Sequence, residues 1–158
     1  MTSTEAVVDA VCATVRHFGR TADVTHDIGA DRVSRRTDAP FTAVTDPDGS
    51  LPHEAYVEVA GSPELEITVY PDGDAAITVD GVEFRDVPAE QAPAFVRALH
   101  DGSARLRGRR FPPGEWLVVP LPDGTVHREL VLLLSLTPYL AGLARLTGRE
   151  RPTPGTSG

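Results

Sequence analysis

The sequence predicts an α+β fold: a single domain with an N-terminal helix, an antiparallel β-meander sheet of five to seven strands, and two further helices packed on one face. Three observations carry this. Apolar residues recur at three- and four-residue steps near the N-terminus, they alternate with polar residues through the middle, and Gly- or Pro-bearing turns divide the alternating stretches. With 158 residues, 41% hydrophobic and 24% charged, the chain has the size and balance of one globular domain. That excludes a wholly disordered, collagen-like or disulfide-stapled protein.

In residues 4–18, Val8, Val11, Cys12, Val15 and Phe18 form one apolar helical stripe. Ser3 or Thr2 can cap this helix, Glu5 suits its first turn, and Gly19 ends it. Residues 20–52 carry weaker signals. Ala22, Val24, His26 and Ile28 alternate as a short strand, Phe41–Thr45 reads as another, and Asp46-Pro47-Asp48-Gly49 reads as a turn. The stretches Glu54–Ala60, Glu64–Tyr70, Ala75–Asp80 and Val82–Phe84 alternate plainly. They place Val57, Val59, Leu65, Ile67, Val69, Ile77 and Val79 on a buried face. Asp80-Gly81 is a favoured two-residue hairpin turn.

Pro88–His100 reads as the second helix, with Ala92, Phe95, Val96 and Leu99 inward and Pro93 in its first turn, where a missing N–H costs least. Gly102 stops it. Strands follow at 104–111, 116–121 and 125–130. Thr137 caps a last helix that has Pro138 at its first position and Gly148 at its end. The domain is expected to span 1–148, with 149–158 a mobile polar tail.

The formal charge of −8 is unevenly placed: residues 1–96 carry 18 carboxylates and 6 arginines, −12, and residues 97–158 carry +4. An acidic chain repels nucleic acid and anionic lipid at long range, so neither is an expected partner. All 15 basic residues are Arg, and Lys and Asn are absent, a composition expected of a GC-rich, bacterial genome. The single Cys excludes an internal disulfide. The N-terminus lacks the basic and apolar regions of a secretory signal. The apolar stretch Leu130–Ala144 is shorter than the roughly 20 residues of a membrane span and holds Pro138. A cytoplasmic location is therefore expected.

No catalytic constellation emerges. The histidines at 17, 26, 53, 100 and 127 lack metal-ligand spacing, no serine sits in a G-x-S-x-G elbow, and no glycine-rich phosphate loop exists. Cys12 lies on an apolar stripe, and the acidic stretch at Asp46 lacks the Gly and Glu positions of a calcium loop. No catalytic residue, metal site or cofactor is expected, and an enzyme is the lesser reading.

Two surface patterns remain. Tyr56, Glu58, Glu64, Glu66 and Tyr70 fall on the wet side of the meander, an acidic, tyrosine-bearing strip suited to a basic protein partner. Arg105, Arg107 and Arg109 alternate, which aligns them on one strand face roughly 6.7 Å apart. They suit a secondary anion or partner contact, or else pair with Glu58, Glu64, Glu66 or Glu83 within the same sheet. The expected function is a small cytoplasmic protein-interaction module, of bacterial immunity or adaptor type. The alternative is a small enzyme or ligand-binding domain whose site is assembled from distant polar residues such as Asp23, His26 and His53. The oligomeric state stays open.

Overall fold

The computed structural model describes residues 3–26, 54–109, 114–131 and 137–149; the expected strand at 41–45, the turn at 46–49, His53 and the tail beyond 149 lie outside the described residues, as do the side chains of His26, Arg109 and 147–149. The chain is an α+β domain. Helix α1 (Thr4–His17) is capped by Ser3, whose Oγ accepts the Ala6 N–H at 3.2 Å. It buries Val7, Val8, Val11 and Val15. Strand β1 (Asp23–His26) then opens a five-stranded antiparallel sheet with β2 (Ala55–Val59), β3 (Leu65–Val69), β4 (Asp74–Val79) and β5 (Val82–Pro88), in chain order.

The alternating residues take the predicted register. Val57, Val59, Leu65, Ile67, Val69, Ile77 and Val79 are all at most 1% exposed, and α1 covers β2 and β3 on that side. The β4–β5 hairpin turns at Asp80-Gly81 with both residues at positive φ (48° and 83°), the geometry a two-residue turn demands. Further along, β5 bulges: Ile77 faces Phe84 and Ala75 faces Val87, so Arg85 and Asp86 together oppose Ala76 and both are exposed.

A 3-10 turn (Ala89–Gln91) leads into α2 (Ala92–His100), which buries Ala92, Phe95, Val96 and Leu99 and packs on α1. Strands β6 (Arg105–Arg109), β7 (Gly114–Pro120) and β8 (Val126–Val131) form a second antiparallel sheet in chain order. Its edge strand β8 lies against β5, the edge of the first sheet, and α2 packs on β7. Both sheets therefore bury their inner faces in one core beneath the helices. Helix α3 (Pro138–Arg149) packs on β6 through Leu140 and Leu143. Among the described residues no helix is long and apolar enough to cross a membrane.

Candidate protein-binding face

Register across the first sheet builds the site. Asp23 on β1 faces Glu58 on β2, Glu58 faces Glu66 on β3, Glu66 faces Thr78 on β4, and Thr78 faces Glu83 on β5. Directly opposed residues in antiparallel strands share a face, so this single rung carries four exposed carboxylates and one threonine across all five strands. Strands sit about 4.8 Å apart, so the rung runs about 19 Å. The inner-face neighbours force the arrangement: once Val57, Ile67 and Ile77 point into the core, Glu58, Glu66 and Thr78 point out.

Tyr56 stands on the next rung, between Thr25 and Thr68. Partial desolvation, then the field of Glu66, Glu58 and Glu64 together with a hydrogen bond to Glu66, pushes its hydroxyl above the usual tyrosine pKa. Four of the five acidic-strip residues anticipated from the sequence thus converge on one point. Tyr70, 37% exposed, lies past the end of β3 beside a shallow concavity lined also by Asp72, Glu83 and Arg85. Asp23 and Glu83 complete the rung and were not anticipated as part of the strip. The described cation on this face is Arg85, which donates to Glu83 at 2.8 Å, holding the Glu83 carboxyl below its ordinary range. That pair is solvent-exposed and adds little stability.

The arginine strip lies elsewhere. Arg105, Arg107 and Arg109 belong to β6, in the other sheet, so the expected pairing with Glu58, Glu64, Glu66 or Glu83 across neighbouring strands does not form. The rungs here are Arg105–Val118–Arg128 and Arg107–Trp116–Leu130, with Arg109 opposite Gly114. Arg105 and Arg107 are exposed, the Arg128 guanidinium lies 5.9 Å from the Trp116 ring centre, and Leu130 is 40% exposed. The second sheet therefore presents an outer face of arginines interleaved with apolar and aromatic groups. Arg128, Trp116 and Leu130 were not singled out in the sequence. The alternation of Val126, Arg128 and Leu130 is the signal that pointed to them, and only the register joins it to β6.

Two described histidines serve as hydrogen-bonded struts. The Nδ1–H of His100 donates to the Val96 carbonyl at 2.8 Å, which leaves Nε2 to accept from Arg20 at 2.8 Å; burial, then Arg20, pushes its pKa down against the Val96 bond. His127 Nε2 donates to Gln91 Oε1 at 2.9 Å, and Gln91 donates onward to Asp123 at 3.0 Å; burial again lowers the ring pKa. Burial raises the Cys12 thiol, the opposite of what a nucleophile needs. Among the described residues no group of three or more His, Cys, Asp or Glu side chains could hold a metal ion. Asp23 stands on the open acidic rung, and the side chains of His26 and His53 lie outside the described residues. No protein-family model, curated protein sequence or solved structure matches the chain.

Proposed function

We propose that this protein is a small cytoplasmic protein-interaction module, of bacterial immunity or adaptor type, that binds a basic partner through the outer face of β1–β5. The observation that carries this reading is the rung Asp23–Glu58–Glu66–Thr78–Glu83 beside Tyr56 and Glu64. Like charges directly opposed on adjacent strands destabilise a sheet. Among the described residues only Arg85 offsets them, and it sits at one end. A cationic partner relieves that repulsion along the whole row. Tyr56 and Tyr70 add contact area at low conformational cost.

The test is capture from the native host with wild type and with a Glu58/Glu64/Glu66→Arg variant whose folding is first verified by circular dichroism. Wild type is expected to recover partners that the variant loses, with recovery falling as salt rises, because screening shortens to about 8 Å at physiological ionic strength. Equal recovery by both, with the same salt dependence, would show the face to be merely solvated.

A further inference from the structure

The two outer faces carry opposite charge and adjoin along one edge, where β5 contacts β8. Both sheets bury their inner faces in one core, and β5 abuts β8, so among the described residues the acidic face of β1–β5 and the arginine-bearing face of β6–β8 are neighbours, each turned away from that core. Neighbouring faces that both turn away from one core cannot close on each other within one chain. They can close on those of a second copy.

We propose that the outer face of β6–β8 is the docking surface for the acidic face of a second copy of this chain, giving a two-fold symmetric dimer. The proposal rests on the reading of the acidic face as a protein-binding surface and names its partner. A two-fold axis running along the β5–β8 seam lays each acidic face over the partner's arginine face, twice, in one self-complementary interface.

The spacing matches. Arg105 and Arg128 are the ends of a three-residue rung with Val118 between them, and Glu66 and Glu83 are the ends of a three-residue rung with Thr78 between them. Both pairs span two strand intervals, about 10 Å. Each guanidinium thus meets a carboxylate while Thr78 lies over the ground of the buried Val118, which sets no charge against it. Arg107, Trp116 and Leu130 form the next rung of the arginine face and add an aromatic anchor beside the charge pairs. Aromatic and arginine anchors surrounded by charge pairs are the usual make-up of an interface centre. The six strands that overlap in this register, β3–β8, present roughly 570 Å² per copy, at the lower end of a specific stable interface.

The experiment is sedimentation velocity of the purified full chain at physiological ionic strength, with three proteins: wild type, Arg105/Arg107/Arg128→Glu, and Glu58/Glu64/Glu66→Arg. Wild type is expected to dimerise, and each variant alone to dimerise about 100-fold more weakly or worse, since each presents like charges to itself. An equimolar mixture of the two variants is expected to restore the dimer. That outcome also shows both variants to be folded, and no general attraction explains it because both stay net negative. A wild type that remains monomeric at all concentrations overturns the proposal while leaving the basic-partner reading to its own capture test. So does a dimer that survives in both variants, which would use another surface. A monomer whose arginine face instead binds poly-glutamate, with loss in Arg105/Arg107/Arg128→Glu, assigns that face to a foreign acidic chain and likewise overturns it.

Discussion

Arg20 reaches across 80 positions of chain to donate a hydrogen bond to His100 Nε2 at 2.8 Å. Its second arm donates to the Ala60 carbonyl at 2.6 Å, and the Phe18 ring stacks on the imidazole at 5.0 Å between centres. The C-terminal ends of α1 and α2 and the β2–β3 turn are thereby tied at one point. The tie needs a neutral imidazole, because a protonated ring would set two cations at hydrogen-bond distance.

A pH dependence follows from that requirement. The folded-state pKa of His100 lies below the ordinary value of about 6.5, so just below that value the unfolded chain binds more protons than the folded one. The stability this supplies is complete above about pH 6.5 and is lost as pH falls from there through the folded pKa. His127 shifts the same way and adds to the slope. Urea midpoints measured between about pH 5.5 and 7.5 should rise with pH. The slope should shrink in His100→Gln and nearly vanish in His100→Gln/His127→Gln. An unchanged slope in the double variant would show that neither ring titrates between the two states.

Face assignment in the meander is testable by contrast. Ile67 is fully buried and Glu66, its neighbour in sequence, is exposed opposite Glu58. Ile67→Ala should cost about 2–5 kcal/mol. Glu66→Gln should cost less than about 0.5 kcal/mol, or stabilise slightly at low salt, because it removes a like-charge opposition. Denaturant unfolding of both variants decides; similar losses would place the two side chains in similar surroundings.

Asp80 and Thr137 should prove energetically coupled. The Thr137 hydroxyl donates to Asp80 while accepting the Leu140 N–H at 3.3 Å, and the other Asp80 oxygen accepts the Glu64 N–H at 2.7 Å. One carboxylate thus links the β4–β5 hairpin, the start of β3 and the cap of α3. Thr137→Ala should lose about 1 kcal/mol of capping. A double-mutant cycle with Asp80→Ala should return a coupling of roughly 0.5–3 kcal/mol. Strict additivity would mean the hydroxyl caps the helix without help from Asp80.

The tyrosine on the acidic face reports the field there. Alkaline titration followed by phenolate absorbance, with a Tyr56→Phe variant to assign the signal, should show Tyr56 ionising above the ordinary value of about 10. Glu58→Gln/Glu66→Gln should bring it down, since it removes two of the three carboxylates and the charged acceptor of its hydrogen bond. No movement would mean that desolvation alone holds the hydroxyl up.

The meander was legible because period-two alternation binds burial to register: with Val57, Ile67 and Ile77 inward, no other pairing keeps Val59, Leu65 and Val79 dry. The turns were legible because Asp-Gly and Pro-Asp-Gly fit few backbone shapes. The boundary between the sheets was not. Alternation in ARLRGRR shows that Arg105 and Arg107 share a face but not which strand lies beside them, and the hydrogen-bond partner of a strand that follows a helix leaves no local mark. The same gap hid the full acidic rung. Glu58 and Glu66 belong to one hairpin, whereas joining Asp23 to Glu83 needs four successive registers. The Arg20–His100 and Gln91–His127 bonds were invisible for the simpler reason that their partners are 80 and 36 positions apart.

The carboxylate rung also decides which stackings the protein refuses. Bare sheet faces tend to lie flat on their own kind, and among the described residues β1, only four residues long, is an edge of the first sheet. Laying one acidic face on another would bring two rows of carboxylates together, with Arg85 the one cation paired to them among the described residues. The row therefore acts as a guard on solubility: it bars like-on-like piling of the broad sheet at high concentration while leaving the approach of an unlike, positive surface unhindered.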